Sequence, residues 1–207
     1  MLRPGRVREE LRVLRNALAS RFGRADYERW SSPGGLEAWW DERTQLLARF
    51  VPEQSRVIEF GAGRRSLERF LPAGCSYVPS DLTDRGPGTI VCDLNKRPFP
   101  DLRAVAPTVA VFSGVFEYVK DVQAVVHWLV DSGVHRVILS FDAVPADQGW
   151  FGAIKERRRR LYYGYMNTLT QRELESILEG VGLTCTAQRV WTTQRLYSYE
   201  RRPIQGL

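Results

Sequence analysis

Apolar residues recur along this chain in two rhythms. Leu11, Leu14, Leu18 and Phe22 stand at helical spacing within residues 8–22, and Leu36, Trp40, Leu47 and Phe50 predict a second helix after Ser31-Ser32-Pro33. Between them lies the aromatic-rich Tyr27-Glu28-Arg29-Trp30. These elements read as an N-terminal helical cap over residues 1–50, its tryptophans either covering the ligand end of the core or packing within it. From Arg56 the rhythm shortens. Apolar runs predict strands at 56–60, 76–80, 89–92, 109–112 and 136–141, with helices at about 65–71 and from Val122 through Leu129. Such alternation is the grammar of a parallel sheet covered on both faces, with right-handed crossovers that bring the post-strand loops to one edge.

The last third differs. Thr170-Gln171-Arg172-Glu173 has capping-box spacing, and Leu174, Ile177, Leu178 and Val181 form an apolar stripe that ends at Gly182. Leu183 to Trp191 and Gln194 to Glu200 predict two strands joined at Thr192-Thr193, a join so tight that the pair must be antiparallel. The expected fold is α/β: a single Rossmann-like domain with a mostly parallel seven-stranded sheet and an antiparallel C-terminal hairpin. Its core covers residues 51–207, with a substrate-side insertion at 142–168.

At 207 residues, the chain suffices for one well-developed core. With 43% hydrophobic and 26% charged residues, neither wholesale disorder nor a membrane protein is indicated, and no apolar run reaches transmembrane length. Arg8, Glu9 and Glu10 follow the basic N-terminus where a secretory signal would be apolar, so cytoplasmic residence is the default. Cys75, Cys92 and Cys185 are too far apart for a CxxC metal site or a disulfide framework, and no metal is expected. Much of the net charge of +6 sits in Arg157-Arg158-Arg159-Arg160 and Arg201-Arg202, which read first as a solvated helix face.

Chemistry concentrates at the strand ends. Val57-Ile58-Glu59-Phe60-Gly61-Ala62-Gly63 joins an apolar strand to a glycine turn that lets backbone amides approach a ligand, and it places a carboxylate two residues before the first glycine. Asp81 follows the second strand and Asp93 the third, so three carboxylates are expected along one crevice. Asp81 suits ribose hydroxyls, Asp93 an exocyclic adenine amine, and Glu59 a ligand amino group. A nicotinamide site would need glycine at Ser66, and the surplus acids favour a cationic cofactor over a pyrophosphate.

On these residues the chain resembles the class I S-adenosylmethionine-dependent methyltransferases. Glu59-Phe60-Gly61-Ala62-Gly63-Arg64-Arg65 matches that family's ExGxGxG signature except at its third glycine, here Arg65, which is expected to point outward. The resemblance implies S-adenosyl-L-methionine as cofactor. It assigns Gly61, Ala62 and Gly63 to the methionine portion, Asp81-Leu82 to the ribose and Cys92-Asp93-Leu94 to the adenine surroundings. Ser113 and Gly114, after the fourth strand, would border both cofactor and acceptor.

A sulfonium carries an activated methyl group, so alignment in a dry channel is the main requirement, and a hydroxyl acceptor gains from a base. Glu117, Tyr118 and Tyr165 are the candidates, whereas His127 and His135 read as structural or surface residues. Trp150, Phe151, Tyr162, Tyr163 and Tyr165 in the insertion offer aromatic walls for a small-molecule acceptor, such as a natural-product or saccharide intermediate. Three other readings are weighed: a sensor or scaffold that binds cofactor without turnover, an RNA methyltransferase and an NAD-dependent oxidoreductase. No distributed basic groove marks a nucleic-acid partner, and a homodimer is left open.

Overall fold

A computed structural model describes residues 4–22, 30 and 37–201. Leu36, Tyr27, Glu28 and Arg29, named above for the N-terminal region, lie outside the described residues. The element order is α1 (Pro4–Arg21), α2 (Trp40–Ala48), β1 (Arg56–Phe60), β2 (Ser76–Asp81), β3 (Ile90–Val91), β4 (Val109–Ser113), α3 (Val122–Asp131), β5 (Arg136–Phe141), α4 (Trp150–Tyr163), α5 (Gln171–Gly180), β6 (Leu183–Trp191) and β7 (Gln194–Arg201). Short 3-10 turns cover Ser66–Phe70 and Phe116–Tyr118.

One seven-stranded sheet runs in the order β3-β2-β1-β4-β5-β7-β6. All pairs from β3 through β5 are parallel, and β7 is antiparallel to both β5 and β6. The chain moves outward in one direction after β1 and returns to start in the other at β4. The loops after β1 and β4 therefore diverge, and a crevice opens between them at the C-terminal edge of the parallel strands.

Strand alternation sorts the core onto two faces. Ile58, Phe60, Ala110, Phe112, Val137 and Leu139 face α3 and α5, whose Val125, Val126, Leu129, Leu174 and Leu178 are fully buried against them. Phe60 stacks on Phe112 at a centroid distance of 4.9 Å. On the opposite face Val57, Val109, Val111 and Ile138 pack beneath Leu47 and Ala48 of α2. Helix α2 is thus a layer of the core, not a detached cap.

Two expectations need correction. The helix foreseen at 65–71 is a five-residue 3-10 turn, since Arg65 before it holds a left-handed backbone (φ 57°) and Leu71 after it is extended, ahead of Pro72. The apolar stripe of α1 faces outward: Leu11, Leu14, Leu18 and Phe22 are all exposed. Helix α1 instead docks polar groups on α4, with Asn16 donating to the carbonyls of Leu161 and Tyr162, Arg12 lying over the Tyr162 ring and Glu10 paired with Arg158.

The capping box at Thr170 is fully formed: its hydroxyl accepts from the Glu173 N–H while Glu173 accepts from the Thr170 N–H. Thr170→Ala is expected to lower stability by about 1 kcal/mol, seen as a reduced urea midpoint with an unchanged denaturant slope.

Candidate functional site

The glycine turn is built by backbone conformation. Gly61 (φ 68°) and Gly63 (φ 50°) both adopt the left-handed region, and a Cβ on Gly61 would lie 2.5 Å from Val115 Cγ2. Ala62 N–H donates to the Ser80 carbonyl, and Gly63 N–H to Asp81 Oδ2 at 2.8 Å, which ties the turn to the end of β2. Arg65 keeps the third left-handed position without being glycine, at a cost of about 1–2 kcal/mol. Its side chain offsets part of that cost. It folds back across the Tyr77 ring and bonds the Pro87 carbonyl and Glu68, so it neither extends into solvent as expected nor reaches the crevice.

Beyond this turn lies a cavity of about 350 Å³. It collects Glu59, Gly61, Ala62, Gly63, Asp81, Leu82, Cys92, Leu94, Ser113, Gly114, Glu117, Tyr118 and Tyr165, which is every candidate residue except Asp93. The Asp93 carboxylate is turned away into its own loop, where it accepts from the Asn95 N–H and pairs with Lys96. Position 93 is therefore an Asx-turn residue in the ligand-free protein, next to the cavity-lining Cys92 and Leu94.

The other two strand-end acids sit in the crevice in different states. Asp81 accepts from Gly63 and Thr83 and faces Arg85, whose Nη2 donates to Oδ1 at 3.2 Å and whose Nε stands 3.2 Å from Oδ2. The Nε contact is an ion pair without a directed hydrogen bond. Arg85 also donates to the Trp30 carbonyl. Glu59 is 2% exposed and accepts a 2.6 Å bond from the Tyr77 hydroxyl, while burial pushes its carboxyl up to about 8. At neutral pH it is therefore mostly protonated.

The opposite half of the cavity is aromatic and carries a second buried acid. Trp191 stacks on Trp39, and contacts continue through Trp40, Trp30, Tyr118 and Tyr165 to Tyr163. Seven rings from five segments of chain thus form one belt along the cavity wall. Within it Glu117 is 1% exposed; Oε1 accepts from the Asp142 N–H at 2.8 Å, and Oε2 has no hydrogen-bond partner. Burial raises its carboxyl to about 7, against the opposing pull of backbone N–H groups and the Arg43 charge. Tyr165 donates to Asp142 Oδ2, which Arg159 also holds.

Several expectations about the insertion resolve here. Tyr163 and Tyr165 line the cavity, Tyr162 faces α1, and Trp150 and Phe151 are exposed on α4. The arginine run is largely not a solvated face: Arg158 pairs with Glu10, Arg159 with Glu156 and Asp142, and Arg160 is buried on the carbonyls of Asp142 and Asn167. His127 and His135 are exposed and away from the cavity. Among the described residues, no group of three or more His, Cys, Asp or Glu is placed to hold a metal ion, and no helix is long and apolar enough to cross a membrane.

Sequence reasoning missed Arg43 and Gln194. Arg43 is buried at the cavity wall, donating through Nε to Ser113 Oγ, through Nη2 to the Ser113 carbonyl and through Nη1 to Gln194 Oε1. An arginine in an exposed-looking Asp-Glu-Arg run carries no sign of burial. The available signal was Gly114, where a Cβ would lie 2.5 Å from Arg43 Nη1.

This strand order, with a glycine turn after β1 and an acid closing β2, defines the Rossmann-like methyltransferase class. Residues 27–188 match a family described as a methyltransferase domain, and the chain belongs to that family, the class I S-adenosylmethionine-dependent methyltransferases. A search of curated protein sequences found no match. Similar solved structures include an O-methyltransferase from neocarzinostatin biosynthesis in complex with S-adenosyl-L-homocysteine and 1,4-dihydroxy-2-naphthoic acid, at 18% identity and a TM-score of 0.57, covering 94% of this chain and 70% of that one. The mitomycin 7-O-methyltransferase gives 14% identity and 0.57, covering 82% and 56%. Magnesium protoporphyrin IX methyltransferase from Synechocystis PCC 6803, with bound S-adenosyl-L-homocysteine, gives 15% and 0.54, covering 78% and 83%. The chain spans 56% of the length of three of the similar solved structures, the mitomycin enzyme among them.

The buried acids make stability depend on pH in a defined direction. A carboxyl whose folded value is raised favours the folded state below its unfolded value and loses that contribution as pH rises through the folded one. For Glu59 the window runs from 4.5 to about 8. The melting temperature of the ligand-free protein should fall across that window, and Glu59→Gln should flatten the decline.

Proposed function

We propose that the protein transfers a methyl group from S-adenosylmethionine to a hydroxyl of a small aromatic molecule. The cofactor supplies an electrophilic methyl carbon on a positively charged sulfur. The residues present fit it on two counts: the turn holds Gly61 and Gly63 in left-handed backbone, with no room for a side chain at Gly61, and Asp81 closes the adjacent strand with an acid. Gly61, Ala62 and Gly63 would hold the methionine portion, Asp81 and Leu82 the ribose, and Cys92 and Leu94 the apolar surroundings of the base. Arg85 now shares Asp81, and a ribose diol would compete with its guanidinium for the same oxygens.

The observation that carries the hydroxyl assignment is Glu117 Oε2, a buried carboxylate oxygen without a partner in the cavity wall. A buried acceptor left open costs about 1–3 kcal/mol unless a donor arrives to fill it. An acceptor hydroxyl is such a donor. With its carboxyl near 7, Glu117 is substantially ionised at neutral pH and can take the hydroxyl proton as the oxygen becomes nucleophilic. The aromatic belt favours a flat ring as the body of the acceptor and keeps water from the reacting groups. The O-methyltransferases among the similar structures support this reading, and the internal pairing of Arg158, Arg159 and Arg160 weighs against a nucleic-acid surface on that helix.

Turnover with 1,4-dihydroxy-2-naphthoic acid and catechol as probes, read by release of S-adenosylhomocysteine, tests the activity. The rate should rise as pH passes about 7. Glu117→Gln should lower kcat by about 10²–10⁴-fold while leaving S-adenosylhomocysteine affinity near wild type; a protein that only senses the cofactor would bind it without turnover. Asp81→Ala should weaken S-adenosylhomocysteine by about ten- to a hundredfold in calorimetry, the loss of a charged hydrogen-bonding partner. Unchanged affinity would remove Asp81 from the ribose site.

A further inference from the structure

Glu117 reaches the cavity with one oxygen already committed. Oε1 accepts from the Asp142 N–H at 2.8 Å, and Gln194 Nε2 lies 3.4 Å from the same atom. The other end of that carboxamide accepts from Arg43 Nη1 at 3.0 Å, and Arg43 is anchored on Ser113 by two further bonds at 3.1 and 3.0 Å. A guanidinium only donates and a carboxylate only accepts, so a side chain that bridges them must offer an acceptor to one and a donor to the other. A carboxamide meets that requirement in one orientation, with its oxygen on Arg43 and its nitrogen on Glu117.

The chain of contacts is sterically framed as well as hydrogen-bonded. The Arg43 guanidinium lies 5.6 Å from the Trp40 ring centroid and 5.5 Å from that of Trp191, and it fills the space that a Cβ at Gly114 would need. Its three partners come from segments far apart in sequence: the end of β4, the start of β7 and, through Gln194, the turn that carries Glu117. No local motif produces this arrangement.

We propose that Arg43 and Gln194 are positioning residues for Glu117, pinning Oε1 so that Oε2 alone is presented to the acceptor proton. This rests on the reading of Glu117 as the base. A carboxylate free to rotate would offer either oxygen and lose the fixed line between base, proton and acceptor oxygen. Arg43 also supplies charge. Arg43 from α2 opposes the effect of burial on Glu117 and that of Asp142 beyond β5, while Tyr118, Tyr165, Arg159 and Glu59 complete the titratable and charged surroundings of the pair. Removing either link therefore both loosens Glu117 and raises the pH at which it ionises.

Infrared titration of the full chain reads this without any acceptor, the Glu117 band being identified by its loss in Glu117→Gln. In Gln194→Leu and Arg43→Lys the midpoint should rise by about half a pH unit or more. With 1,4-dihydroxy-2-naphthoic acid as acceptor, the rising limb of kcat/KM should move by the same amount, with kcat about tenfold lower and KM little changed. Gln194→Glu keeps an acceptor for Arg43 but loses the donor to Glu117, so it should not restore the wild-type profile. Midpoints unchanged in both Gln194→Leu and Arg43→Lys overturn the relay even where Glu117→Gln is inactive. Wild-type turnover by Glu117→Gln would instead overturn the base itself; should one variant fail to fold, the midpoint of the other decides.

Discussion

A single buried guanidinium ties the two halves of the cavity together. Arg43 projects from α2 onto the end of β4 and contacts the first residue of β7, which in turn reaches Glu117. Burial of an arginine is costly unless its charge is opposed and its N–H groups are bonded. Here three directed hydrogen bonds, two aromatic faces and the nearby Glu117 carboxylate meet that cost together. The consequence is geometric: α2, β4 and β7 cannot shift independently without stranding the charge, so the cofactor-side turn and the acceptor-side wall share one reference point.

The same dry environment sets the character of the two inner acids. Glu59 and Glu117 are both raised by desolvation, yet their hydrogen bonding separates them. Glu59 is satisfied by the Tyr77 hydroxyl and belongs to the framework beneath the glycine turn. Glu117 is bonded through one oxygen only and leaves the other buried without a partner. Two carboxyl groups in one pocket thus acquire different characters through what surrounds them.

Most of the sheet was legible from the sequence because strand burial dominates local choice. Arg56–Phe60 and Arg136–Phe141 appear with the bounds their apolar runs predict, and the antiparallel hairpin follows from the two-residue join at Thr192-Thr193. The glycine turn and Asp81 were legible for a related reason, since backbone geometry and strand ends leave local marks. Failures arose where a residue type has two physical uses. The leucines of α1 were read as a packing stripe and are exposed, because Asn16 and Arg12 make the contacts with α4, while Asp93 serves a turn as well as standing at a strand end. Beyond the glycine at position 114, Arg43 and Gln194 left little local mark, because their meaning depends on contacts across 70 and 151 positions.

The reversed hairpin has a consequence for the order in which this protein becomes competent. Trp191 and Gln194 flank the turn between the last two strands, and β7 inserts between β5 and β6. During synthesis, the glycine turn and Asp81 emerge well over a hundred residues before the chain can lay down that final inserted strand. The glycine turn, Asp81 and six of the seven belt rings thus all precede the hairpin in the chain, and the C-terminal segment adds Trp191 and the Gln194 contacts that join Arg43 to Glu117.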